Sequence, residues 1–214
     1  MPAKLESCLD AVYQAGGERD KLDRVYDDWA KSYDQDLWAS GNPYITIMAG
    51  MIGRHISDLK GKILDAGCGT GNLGEILSYL GYENVTGIDP SAGMLDAARA
   101  KGVYNALYQL LLGAVIDLPD NSFDGITAAG VLTHGHAPAD SLDGMLRIAK
   151  AGAPIIFSIS KIAEEKDGFG EKIHSLSKKG QWNLVEESAY FRTYPFSKEY
   201  TELRHRICVY RKSG

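Results

Sequence analysis

The sequence predicts an α/β domain built on a mainly parallel sheet, and three observations carry that prediction. Short apolar runs alternate with helical patterns from Gly61 to Ser160. Those runs, KILDA and PIIFSIS among them, are nearly continuous in apolar residues, as strands buried on both faces must be. The first run leads through a glycine-rich turn, GCGTG, into a helical pattern, the order found where an open α/β sheet receives a ligand.

The elements follow in order. Lys4–Gln14 reads as a helix with Leu5, Leu9 and Val12 on one face, ended by Gly16-Gly17. Asp20–Leu37 reads as one continuous helix, because Leu22, Val25, Trp29 and Tyr33 recur every three or four residues. Gly41-Asn42-Pro43 is a turn, and Tyr44–Leu59 is a third helix. Lys62–Ala66 is the first strand. Asn72–Leu80 is a helix closed by Gly81, and Asn84–Ile88 is a strand. Ser91 can cap a helix that stops at Gly102. Strands over Leu107–Leu112 and Phe123–Ala129, a helix over Pro138–Lys150 and a strand over Pro154–Ser160 complete the alternation. Trp182–Thr193 and Arg204–Arg211 read as an antiparallel pair. The polar stretch 161–180, with a helix near Gly170–Lys178, reads as a substrate-facing insertion.

Composition narrows the function classes. The 214 residues suit one domain, and 44% hydrophobic with 24% charged content is that of an ordinary soluble protein. A net charge of −5 without a basic stripe argues against nucleic-acid binding. The three cysteines show no metal or disulfide spacing. No apolar run has membrane or signal-peptide character, so the expected setting is cytoplasmic, without membrane contact.

The glycine turn defines the ligand. A dinucleotide fingerprint needs glycine at position 72, which is Asn72, and the Gly-Lys-Ser/Thr of a phosphate loop is absent. Asp89 ends the second strand, where an acid can accept hydrogen bonds from vicinal ribose hydroxyls. Asp65, under the turn, favours a cationic group. A ribose with a cationic amino-acid tail describes S-adenosylmethionine (SAM).

LDAGCGTG, VTGIDPSAGMLDAAR and LPDNSFDGI resemble three motifs of the class I SAM-dependent methyltransferases. VYDDWAKSYDQDL, KGVYNALYQ and GVLTHGH are similar to the small methyltransferase-like proteins of the Williams–Beuren syndrome chromosomal region. The resemblance implies a Rossmann-like seven-strand sheet with an antiparallel C-terminal hairpin, in one domain: residues 1–60 a helical lid, 61–160 the SAM-binding core, and 161–214 the substrate-side insertion and hairpin. It places Asp65, Gly67 and Gly69 at the methionine part of SAM, Asp89 at the ribose, Met94 beside adenine, and Gly130 and Val131 beside the sulfonium. Tyr26 and Tyr33 would close over the cofactor. The pattern departs at Ala114, where many relatives carry an acid for the adenine amino group; Asp117 lies three residues later.

Methyl transfer needs alignment of the reacting groups, and a base if the acceptor arrives protonated. His134 and His136 follow the fourth strand as candidate bases, and in an extended segment at most one of them points at the acceptor. No third ligand accompanies them, so a metal is not expected. Trp29 reads as packing, and Arg192, Tyr194 and Arg204 as solvated surface. The expected function is methylation of a small O-, N- or S-nucleophile by a monomer or homodimer. A SAM-binding regulatory module without catalysis, a protein side-chain methyltransferase and an NAD(P)-dependent oxidoreductase are the alternatives.

Overall fold

The computed structural model describes residues 3–214; Met1 and Pro2, which the 1–60 lid expectation includes, lie outside them. Four helices come first: α1 (Ala3–Gln14), α2 (Arg19–Trp29), α3 (Tyr33–Ser40) and α4 (Tyr44–His55). Strands β1 (Ile63–Ala66), β2 (Val85–Asp89), β3 (Ala106–Gln109), β4 (Gly125–Leu132) and β5 (Pro154–Ser160) then alternate with helices α5 (Asn72–Tyr79), α6 (Ala92–Lys101) and α7 (Ser141–Ile148). Helices α8 (Lys161–Lys166) and α9 (Phe169–Lys178) precede β6 (Trp182–Glu187), β7 (Phe191–Arg192) and β8 (Arg204–Lys212).

The strands form one sheet in the order β3-β2-β1-β4-β5-β8-β6, and β7 also pairs with β8. The first five are parallel. β8 runs antiparallel to β5 on one side and to β6 and β7 on the other. The sheet is therefore seven strands wide, as expected, with the predicted Trp182–Thr193 strand divided into two pieces. Strand order reverses between β1 and β4, which opens the crevice beyond their C-terminal ends.

Burial explains the layers. All four residues of β1 and all seven of β5 are buried. One face packs Leu64, Ile126, Phe157, Met145 and Phe169 into a common core. The other packs Met48, Ile52, Leu73 and Leu77 of α4 and α5 against Ile63, Val85 and Ile156. A third apolar cluster joins Leu5, Leu9, Leu22 and Trp29 of the N-terminal helices to Tyr194 of the C-terminal segment.

One expected helix needs revision. The predicted helix Asp20–Leu37 breaks at residues 30–32. In a continuous helix Trp29 and Asp36 would stand about 10 Å apart along the axis. The break lets the Trp29 indole donate to Asp36 Oδ2 at 2.9 Å and the Ser32 hydroxyl donate to the same oxygen at 3.0 Å. Asp36 is buried, so these bonds satisfy a carboxylate that could not otherwise stay there. The stretch 161–180 folds as α8 and α9, with Phe169, Ile173 and Leu176 in the main core; its Asp167 turn meets the loop after β4.

Candidate active site

The turn after β1 is held from below. Register places Asp65 beside Gly87 of β2 and Thr127 of β4. The Thr127 hydroxyl donates to Asp65 Oδ1 at 3.3 Å, and the Tyr104 hydroxyl donates to Oδ2 at 2.8 Å. The Tyr104 ring fits because three glycines make room: a Cβ on Gly71, Gly74 or Gly87 would lie 3.0, 2.3 or 3.1 Å from it. Burial pushes the Asp65 carboxyl up to about 7, against the two hydroxyl donors. Asp65 thus supports the loop from behind and does not reach the cavity wall. Tyr104 was not singled out from sequence, since its partners come from four separate elements.

Above Asp65 the backbone turns tightly. The amides of Gly67 and Cys68 both donate to the Ile88 carbonyl, at 2.8 and 2.9 Å. Gly67 has φ +73°, and a Cβ there would lie 2.3 Å from Val131. Gly69 has φ +53°, and its Cβ direction is open space facing the cavity. Its amide donates to Asp89 Oδ2 at 2.9 Å, while the Ser91 amide donates to Oδ1 at 3.0 Å. Asp89 lines the cavity with one lone pair on each oxygen still available. Burial raises its carboxyl to about 6, opposed by those two amides.

The cavity is a cleft partly open to solvent, about 680 Å³ with the solvent space at its mouth included. Gly67, Gly69, Asp89 and Met94 line it, as do Tyr26, Tyr33, Gly130 and Val131. Beyond Asp89 the wall is apolar, formed by Pro90, Met94, Leu111 and Leu112. Ala114 and Asp117 are exposed and do not line it, so neither places a side chain on this wall.

The N-terminal helices roof this space. Asp27 Oδ1 accepts from the Ser91 hydroxyl at 2.5 Å and the Gly93 amide at 2.9 Å, at the positive end of α6. Asp34 accepts from the Thr70 hydroxyl and pairs with Lys101 at 2.8 Å. Between these latches Tyr26 and Tyr33 face the cavity, and burial raises both phenols above their ordinary range. Arg19, paired with Asp23, also lines the wall; no local pattern in the sequence marks it.

The loop after β4 separates the two candidate histidines. β4 shifts register between Ala128 and Leu132, where Gly130 takes φ +73° and donates its amide to the Ser158 hydroxyl at 2.7 Å. His134 turns outward to Asp167 at 2.9 Å and lines no part of the cavity. His136 turns inward. Its Nδ1 lies 3.0 Å from the His134 carbonyl, which can only accept, so Nδ1 carries the proton. Burial lowers the imidazole below its usual range and keeps it neutral. Nε2 is then an acceptor, and the Tyr26 hydroxyl donates to it at 2.6 Å.

This wall suits a nucleoside with a cationic tail. The open side of Gly69 admits close approach, Asp89 can receive a diol, and the apolar slot can hold a base. Tyr26 and Tyr33 offer ring faces to a cation. A methyltransferase-domain family matches residues 64–157. Human methyltransferase-like protein 27 is 30% identical over 166 residues, covering 73% of this chain and 66% of that protein. The chain belongs to the class I SAM-dependent methyltransferases. Their cofactor is SAM, which when bound supplies a methyl group on a positively charged sulfur.

Other methyltransferases match over less of their length. The ubiquinone biosynthesis O-methyltransferase of Alkalilimnicola ehrlichii is 36% identical over 108 residues, 48% of this chain and 43% of its own. The tRNA U34 carboxymethyltransferase of Shewanella sediminis is 33% identical over 144 residues, 60% of this chain and 42% of its own. The chain thus spans from about two fifths to just under two thirds of these relatives. A TehB-like SAM-dependent methyltransferase from Corynebacterium glutamicum shares the fold, with a TM-score of 0.62 at 22% identity over 88% of this chain and 98% of that one. Among the described residues no helix is long and apolar enough to cross a membrane, and no group of three or more His, Cys, Asp and Glu is placed to hold a metal.

Proposed function

We propose that this methyltransferase methylates a small-molecule O-, N- or S-nucleophile, with His136 rather than His134 as the proton-accepting histidine. The observation that carries the reading is the Tyr26–His136 hydrogen bond at 2.6 Å, beside Gly130 on the cavity wall. The Tyr26 proton is committed to His136, which leaves the phenol oxygen free to accept a hydrogen bond from an acceptor. As that acceptor becomes nucleophilic, its proton passes to Tyr26 while the Tyr26 proton passes to Nε2. The roof excludes water and fixes the acceptor, the part of catalysis the protein supplies.

The relatives' names include both a quinone-pathway O-methyltransferase and a tRNA-modifying enzyme. A small acceptor is favoured because the net charge is −5 and the one cation on the cavity wall, Arg19, is already paired with Asp23. Calorimetric titration with SAM and S-adenosylhomocysteine (SAH), followed by SAH-release assays over a panel of acceptors, tests the proposal. Failure of both ligands to bind at millimolar concentration overturns it. Binding without turnover on any acceptor supports the regulatory-module reading, whose motive is the absence of an acid at the adenine end.

A further inference from the structure

A second, narrower cavity opens beside the first. Tyr26, Tyr33, Gly130 and His136 belong to both walls, so the two spaces meet beside the Tyr26–His136 pair. From that junction the second cavity runs between the N-terminal helices and the segment from β7 to β8. Tyr13, Trp29, Tyr44 and Tyr194 add four more aromatic rings to its wall. Tyr194, expected at the surface, is buried here.

Among the described residues, no Asp, Glu, Lys or Arg lines this cavity. A charged guest would lose its hydration with no opposite charge to replace it. His205 shows how the space treats charge: it is 2% exposed, and burial pushes its imidazole down to about 3. Away from the junction, three polar side chains meet. The Tyr44 hydroxyl lies 2.9 Å from His205 Nε2, and the Thr193 hydroxyl lies 2.7 Å from Nδ1. The Tyr44 ring reaches back to the junction, since a Cβ on Gly130 would lie 3.4 Å from its edge. The Tyr44 ring thus links the junction to the cluster. Neighbouring rings meet at steep angles, 74° for Trp29–Tyr33 and 71° for Tyr44–His205, so a flat guest finds both faces and edges.

We propose that this second cavity is the acceptor subsite, and that it selects an uncharged single-ring aromatic with two hydroxyl groups. One hydroxyl reaches Tyr26–His136 and the other hydrogen-bonds to the Tyr44–His205–Thr193 cluster. The proposal rests on the methyl-transfer reading and goes beyond it by naming the acceptor class and three specificity residues that no local sequence pattern marks.

Calorimetry on the SAH-saturated protein tests it, with resorcinol, phenol, 3,5-dihydroxybenzoate and benzylamine as probes. Resorcinol is expected to bind about tenfold tighter than phenol, the effect of one buried hydrogen bond. Tyr44→Phe, which keeps the ring, is expected to shrink that ratio to about twofold with SAH affinity retained. Thr193→Val gives the same readout should Tyr44→Phe misfold by circular dichroism. Tighter binding of the carboxylate or the amine, no binding of resorcinol, or a ratio that neither variant changes overturns the proposal. If SAH itself does not bind, the methyl-transfer reading falls. Resorcinol titrated into the protein alone then decides the cavity: Tyr44-dependent binding upholds it and its absence overturns it.

Discussion

Asp89 and Asp65 are both buried acids with raised pKa, yet they affect different measurements. In the proposed role Asp89 must be ionised to accept two ribose hydroxyls, and burial raises its carboxyl to about 6. SAH affinity is therefore expected to be full at pH 8 and to fall by about tenfold toward pH 5. Asp89→Asn should bind more weakly and lose this pH dependence, which calorimetry from pH 5 to 8 checks. His136 does not set that acid limit, because burial keeps it neutral below its usual range.

Asp65 bears on stability. Its folded pKa of about 7 lies above the ordinary carboxylate value, so the folded state binds more protons between pH 4 and 7. Stability then falls as pH rises through that window. Compared with Asp65→Asn, the wild type is expected to lose on the order of 1–3 kcal/mol between pH 5 and pH 8. Urea denaturation of both proteins at the two pH values measures it. Gly74→Ala, whose Cβ would lie 2.3 Å from the Tyr104 ring, should cost about 1–3 kcal/mol in the same experiment.

At the scale of elements, side-chain bonds fasten the roof to the glycine turn and to α6, while the apolar cluster of Leu22 and Trp29 joins it to the C-terminal segment. Asp27 bonds to the start of α6, and Asp34 bonds to Thr70 and Lys101. Asp27→Ala removes about 0.5–2 kcal/mol of helix-end interaction. SAH is then expected to dissociate several-fold faster in stopped-flow displacement, and an unchanged rate would show that the roof does not gate the cofactor. The break between α2 and α3 belongs to the same design: it places Tyr33 and Asp34 over the glycine turn. Helical periodicity could not reveal that break, because its cause is a hydrogen bond from Trp29 to Asp36 that forms only once the helix is interrupted.

At the scale of the molecule, what was legible in sequence is what local chemistry dictates. Continuous apolar strands, the positive-φ glycines at 67 and 69, and an acid at the end of β2 each announce their place. The residues singled out from them come together on one cavity wall, apart from Asp65, which the register turns toward Thr127 and Tyr104. The second cavity was not legible. Tyr44 and His205 are 161 residues apart and meet because β8 inserts between β5 and β6, which carries His205 beneath α4. No spacing rule relates them, and in the linear chain Tyr194 reads as surface and Thr193 as the end of a strand.

The roof latched by Asp27 and Asp34 covers both cavities, since Tyr26 and Tyr33 line each of them. A roof that moves would uncover both spaces together, and the expected consequence is that release of spent cofactor and product, rather than methyl transfer, sets the pace of a full cycle. Acceptors of different intrinsic nucleophilicity should accordingly turn over at nearly the same maximal rate, and Asp27→Ala should raise that common rate. A steady-state comparison in which kcat follows acceptor reactivity instead would return control of the cycle to the chemical step.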